Sequence, residues 1–266
     1  MSRLKPSFFL LGPSKTGTTS VFYTLKQHPQ IEAPFRKEIL FFAHRYRKGI
    51  DWYLDRFPKD DGTGKITFES TPGYFAHWMT PHRMRSEGFK DAKFIIFLRN
   101  PTERFISHYR HFRSYNLFLQ KEHCDIPDYV INQIKKDPNW TGESRSFQQV
   151  INNPSTNYYK DGEYIIYLKL WFELFPRDQF LILDFRDLKN DFGGVVSKIE
   201  NFLEIDQFAI DRVNINTREQ WDEWRGVEQI TEEDIEYLDN YFYPYNQALY
   251  NFLGWDFKWE EDNIII

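Results

Sequence analysis

A single cysteine, Cys124, stands among 266 residues, so no intramolecular disulfide can form. One free thiol fits a reducing compartment. No stretch approaches the roughly 18 consecutive apolar residues that a membrane span needs. Met1 leads into the first apolar strand without the pattern of a signal peptide, and the expectation is a cytoplasmic protein with no membrane span. The net charge of −5 is of the wrong sign for global attraction to nucleic acid, which is not expected as a partner. The chain also lacks a clear Walker-B aspartate and any His/Cys cluster with metal-ligand spacing, so no metal is expected. Repeats, low-complexity tracts and linkers are missing too, which leaves residues 1–266 to be read as one domain.

Against these absences, one stretch is dense in signal. Phe8-Phe9-Leu10-Leu11 is a short apolar run that breaks at Gly12, passes Lys15 and Gly17, and enters a helix-like pattern through Thr18, Thr19 and Ser20. Strand, glycine loop and helix start together make an anion cradle, because loop and helix N-terminal N–H groups converge on a phosphate or sulfate. The two glycines have the Walker spacing, yet Thr18 occupies the place of the P-loop lysine, and the lysine sits inside the loop at Lys15. A small-molecule kinase would need Gly-Lys-Ser/Thr at this point, so another activated group is the better expectation. A kinase and a non-catalytic nucleotide-binding module stand as the alternatives.

The apolar runs Ser7–Leu11, Lys65–Thr71, Ala92–Arg99 and Gln179–Phe185 are predicted strands, and they alternate with predicted helices. The helices are placed at Thr18–Gln27, from Pro101 towards Leu117, at Tyr158–Phe175, Asp191–Leu203 and Ile230–Leu253, the last with a possible break near Pro244. Alternation of this kind predicts an α/β fold, a P-loop-like three-layer α/β/α arrangement around a central, mostly parallel sheet. Gln120–Pro154 is polar and weakly patterned, and reads as short helices and exposed loops.

Arg99 falls at the carboxyl end of a predicted central strand, where open α/β sheets bind ligands. Arg104, Ser107 and His111 follow with i, i+3, i+7 spacing, which places them on one helix face. An arginine fork with a hydroxyl makes a second anion site. Glu38 is the candidate base, a carboxylate suited to taking a proton from a hydroxyl or amine. His44, His77 and His82 border the same region, and each is an alternative to Glu38 or an assistant.

Lys15-Thr16-Gly17-Thr18-Thr19, Glu38-Ile39-Leu40-Phe41-Phe42, Gly49–Tyr53, Thr71–Phe75, and the Arg99 and Ser107 pair occur in the order seen in one enzyme family. The chain resembles sulfotransferases that use 3′-phosphoadenosine-5′-phosphosulfate (PAPS), most of all the heparan sulfate N- and 3-O-sulfotransferases and their bacterial relatives. The resemblance implies that Lys15, Thr16, Gly17, Thr18, Thr19 and Ser20 hold the 5′-phosphosulfate, while Arg99 and Ser107 take the 3′-phosphate. It also implies that Arg225-Gly226 close over the nucleotide with Trp221 or Trp224 near the adenine. Glu38 would accept the acceptor's proton, Lys15 would stabilise charge on the leaving oxygen, and the nucleotide product would be 3′,5′-adenosine bisphosphate (PAP). Glu69 matches a family glutamate, but Ser70 replaces the lysine that follows it there, which argues against a sulfated-glycan acceptor. The implied acceptor is a hydroxyl (or amine) of a carbohydrate or a small natural product.

Overall fold

The computed structural model describes residues 2–120, 142–213, 229–262 and 264. Five strands, β1 (Phe8–Leu11), β2 (Ile31–Glu32), β3 (Ile66–Glu69), β4 (Lys93–Leu98) and β5 (Phe180–Asp184), form one sheet in the order β2-β3-β1-β4-β5. Every pairing in it is parallel. The ten α-helices among the described residues are α1 (Thr18–Leu25), α2 (Ile50–Leu54), α3 (Thr80–Ser86), α4 (Pro101–Gln120), α5 (Phe147–Ile151), α6 (Asn157–Lys160), α7 (Tyr164–Leu174), α8 (Asp187–Asn190), α9 (Phe192–Leu203) and α10 (Glu232–Leu253).

The central strands are continuously apolar because both of their faces are covered. Phe9, Leu11, Phe94 and Ile96 point to one side and pack with Phe42, Tyr53, Tyr74, Leu168 and Trp171. Phe8, Leu10, Ile95 and Phe97 point to the other side, against Val21, Phe22 and Leu25 of α1 and Val195 and Ile199 of α9. The period of two along each strand thus builds the expected three layers. A third apolar cluster joins Phe105 and Tyr109 of α4 to Val150 of α5 and Leu238 and Phe242 of α10.

Two helix expectations need correction. Tyr158–Phe175 is not one helix: α6 stops before Gly162, and α7 begins at Tyr164. A Cβ at Gly162 would lie 2.7 Å from the Phe242 ring, so the chain breaks where it must pass close to α10. The C-terminal helix, in contrast, runs unbroken through Pro244. Pro244 and Asn240 both lie on its exposed face, where water can satisfy the carbonyl that proline leaves without a donor. Strand β2, helices α2 and α3 and a π-helical turn at Phe41–Arg45 were not expected. Within Gln120–Pro154, residues 121–141, with Cys124, lie outside the described residues, and the remainder contains α5 behind a Ser146–Gln149 capping box.

Leu168 is fully buried between the sheet and α10. Leu168→Ala is expected to cost about 2–5 kcal/mol of folding stability, read as a lower urea midpoint at unchanged slope.

Candidate active site

The parallel strands all end at one edge, where the loop from Gly12 to Ser20 and the strand-end Arg99 lie side by side. After β1, Gly12 adopts φ 138° and lies so close to β4 that a Cβ would stand 3.0 Å from the Phe97 carbonyl oxygen. Gly17, at φ 84°, is the left-handed N-cap of α1, and a Cβ there would strike Leu188 at 2.8 Å and Phe185 at 3.0 Å. Neither position accepts a side chain without displacement of its neighbours. Thr16 is buried, and its hydroxyl donates to the Pro13 carbonyl at 2.9 Å, which closes the loop. Thr18, Thr19 and Ser20 form the first turn of α1, whose N–H groups have no partner within the helix.

Lys15, itself at φ 76°, lies in this loop. Desolvation, then the charges of Arg99 and Lys37, lower its pKa to about 8. Arg99 leaves the end of β4, donates from Nη1 to the Lys15 carbonyl at 3.2 Å and from Nε to Glu103 at 2.9 Å, and lies over the Phe185 ring at 4.7 Å. Ser107 is half-buried on α4, one turn beyond Glu103 on the same side of the helix. Arg104 does not join that anion-facing group. It is fully buried and donates to the Tyr158 carbonyl, with His108 Nδ1 at 3.2 Å. The i, i+3 spacing places residues on a face without saying which face is wet.

Glu38 belongs to a different element but reaches the same cluster. Its carboxylate takes Lys37 Nζ at 2.7 Å, and Lys37 is among the charges that act on Lys15. Glu38 is 42% exposed and Lys37 12%, so the carboxylate faces an open side while its partner is tucked in. Glu38 and Leu40 both have φ near 60°, two strained residues flanking Ile39 at the proposed centre of chemistry.

Of the alternative bases, His44 and His77 meet edge to face at 6.0 Å, and Thr80 Oγ1 lies 3.1 Å from His77 Nδ1. Desolvation, Arg83 and His44 push His77 below the ordinary histidine range. His82 is exposed on α3. Sequence reasoning did not find the role of His108 and His111, which α4 buries within reach of the Lys15 charge. Desolvation first, then Lys15 and for His108 also Arg104 and His111, hold both well below the usual value, so they stay neutral beside the cradle. Trp221, Trp224, Arg225 and Gly226 lie outside the described residues.

A glycine-clamped loop at the carboxyl edge of a parallel sheet, with a desolvated lysine and a strand-end arginine, defines a P-loop-like domain built to hold a dense anion. Residues 5–223 match the sulfotransferase domain family, and the chain belongs to that family. It is therefore of the PAPS-dependent sulfotransferase class that the motifs implied. It is 27% identical to the membrane-associated sulfotransferase kil1 of Dictyostelium discoideum over 96% of its own length and 66% of that protein's. It is 32% identical to the human bifunctional heparan sulfate N-deacetylase/N-sulfotransferase 3 over 75% of its length and 22% of that protein's. The chain thus spans about two thirds of the first relative and about a fifth of the second. A sulfotransferase of Alicyclobacillus acidocaldarius shares the fold, with a TM-score of 0.71 and 23% identity over 97% of this chain and 99% of that one. Among the described residues, no helix is long and apolar enough to cross a membrane.

The site fits PAPS on its own geometry: a clamped loop for a phosphosulfate, and cations around it with, among the described residues, no carboxylate paired to Lys15 itself. The free protein loses the Lys15 proton above about pH 8, whereas a bound nucleotide polyanion favours the charged form and restores it. PAP affinity is expected to fall about tenfold between pH 7 and pH 9, and the pH dependence should vanish in Lys15→Met. Calorimetric titration in buffers of different ionisation enthalpy measures both, and an affinity indifferent to pH would exclude Lys15 from the nucleotide site.

Proposed function

We propose that the described domain, as one catalytic unit over residues 1–266, transfers a sulfonate group from PAPS to a hydroxyl or amine of a carbohydrate or small natural-product acceptor. Glu38 is the base. PAPS supplies the activated sulfonate, and binding, orientation and proton removal fall to the chain's own residues. The observation that carries the reading is that Arg99 donates to the Lys15 carbonyl, that the Lys37 charge acts on Lys15, and that Lys37 pairs with Glu38, so an anion cradle and an open carboxylate share one electrostatic neighbourhood.

In this reading the loop N–H groups, Thr18, Thr19 and Ser20 bind and orient the phosphosulfate end. Lys15 stabilises the charge that grows on the oxygen between phosphorus and sulfur. Arg99 and Ser107 take the 3′-phosphate, and Trp221, Arg225 and Gly226 complete the nucleotide site. Glu38 removes the acceptor proton as its oxygen or nitrogen attacks sulfur in line with the leaving group. No covalent enzyme intermediate is required.

Two observations bear on the acceptor. Ser70, where the resemblance has a glycan-binding lysine, is fully buried, so no basic group leaves the end of β3. Trp78 is 66% exposed beside His77, which meets His44 of the segment that follows Glu38. A flat indole next to imidazoles suits the face of a sugar or another ring better than a polysulfated chain. The single cysteine agrees with a cytoplasmic place of action.

Radiolabelled PAPS offered with a panel of neutral oligosaccharides, N-deacetylated heparosan and hydroxylated small molecules tests the reading. Label should pass to an acceptor without added metal. Glu38→Gln should slow that transfer by about 10²–10⁴-fold with PAP affinity retained; undiminished turnover would move the base to a histidine. Ser107→Ala should weaken PAP by roughly tenfold, the loss of one hydrogen bond to a charged group, and leave AMP binding unchanged.

A further inference from the structure

We propose that Glu69 is a positioning residue for the transfer reaction, a buried carboxylate that holds the Glu38 segment in place through Ile39, Thr71 and Tyr74. The inference rests on the reading of Glu38 as base and gives that segment a mechanical support within the fold.

Glu69 ends β3 and is fully buried. Its hydrogen-bond donors are neutral: the Tyr53 hydroxyl at 2.6 Å, the Thr71 hydroxyl at 2.7 Å, the Tyr74 hydroxyl and the Ile39 N–H. Burial of a carboxylate among neutral donors is unfavourable, and it pushes the Glu69 carboxyl up to about 7 against the pull of those hydrogen bonds. An apolar side chain would serve the core better, so this costly group calls for another reason.

The reason lies in what the donors touch. Thr71 Oγ1 also accepts the Leu40 N–H at 3.4 Å, and the Tyr74 hydroxyl accepts the Phe42 N–H at 3.1 Å. Glu38 N–H donates to the Ser70 carbonyl at 3.1 Å. Amides 38, 39, 40 and 42 are therefore all anchored on Glu69 or on the residues just after it. A hydroxyl offers one proton, and the Glu69 carboxyl, which ionises only as the pH rises through about 7, can only accept once it is ionised. Glu69 thereby draws the Thr71 and Tyr74 protons towards itself and leaves their lone pairs facing the backbone N–H groups. An amide in its place can donate, and so turn those hydroxyl protons against Leu40 and Phe42. The anchored stretch contains the two left-handed residues, Glu38 and Leu40, whose conformation persists only where the surroundings impose it.

The test is acceptor-independent at its core. Hydrogen–deuterium exchange of amides 38–42 is compared in wild type, Glu69→Gln, Thr71→Val and Tyr74→Phe, together with PAP affinity and transfer to the acceptor that takes up label from PAPS. In Glu69→Gln, exchange across 38–42 should quicken by about tenfold, the equivalent of one hydrogen bond, with exchange in β1 and β4 unchanged. PAP affinity should stay within about twofold. Transfer kcat should drop by about tenfold or more at little-changed acceptor KM. If Glu69→Gln does not fold, Thr71→Val and Tyr74→Phe each remove one strut and should loosen the same amides and lower kcat. Unchanged exchange at 38–42, or full transfer despite faster exchange, would overturn the proposal. Full transfer by Glu38→Gln is a separate result: it would remove the base assignment and leave the exchange data to judge the anchor.

Discussion

Strand β1 lies between β3 and β4, parallel to both, with Phe8 beside Phe68 and Leu11 beside Ile96. The rest of the site depends on that pairing. Parallel strands deliver their exits to one edge of the sheet, so the turns after β1, β3, β4 and β5 open side by side. The first turn is then clamped at both ends, by Gly12 against the backbone of β4 and by Gly17 against Phe185 and Leu188 beyond β5. A loop pinned in this way at both glycines has little room to rearrange. An anion bound here would meet a backbone already in place, leaving little ordering entropy to oppose binding.

The charges around the loop follow a consistent pattern. Arg99 pairs with Glu103 and Lys37 with Glu38, while among the described residues burial first, and then the Arg99 and Lys37 charges, act on Lys15. Its lowered pKa is the mark of a charge held ready for a ligand that carries the opposite sign. His108 and His111 lie in the same field, and their neutrality keeps it from growing to a strength that would neutralise Lys15 altogether. Glu69 is the mirror case, a carboxyl that burial pushes up to about 7 among neutral donors, beside the backbone segment that we propose it orients.

What was legible in the sequence was what a few local residues decide. Gly12, Lys15 and Gly17 state the loop by their spacing, and the unbroken apolar runs of β1 and β4 state a sheet covered on both faces. The π-helical turn at Phe41–Arg45 was not legible. Its run of phenylalanines has no period of its own, and its shape comes from anchors supplied by Ser70, Thr71 and Tyr74 some thirty residues away. The break at Gly162 depends on Phe242 across the core, and the tolerance of Pro244 depends on which face of α10 is wet. Arg104 shares a helix face with Ser107 by spacing yet turns into the core, because helical spacing carries no information about the partner helix. In each instance the deciding contact is distant in sequence.

The same distinction explains why the donor half of the reaction is easier to recognise than the acceptor half. A phosphosulfate is held largely by main-chain N–H groups and by residues that shape a loop, and such a device keeps its signature while the surrounding chain changes. In the proposed reading acceptors are recognised by side chains around Glu38, each of which can change alone. Position 70 shows the consequence. Its side chain is sealed from solvent and its carbonyl is occupied by the Glu38 amide, so a lysine there would have to move the base segment to reach an acceptor. On that reading, recognition falls to exposed neighbours such as Trp78, next to the His44–His77 ring pair. The anchored backbone of the Glu38 segment would then limit which neighbouring positions can read an acceptor.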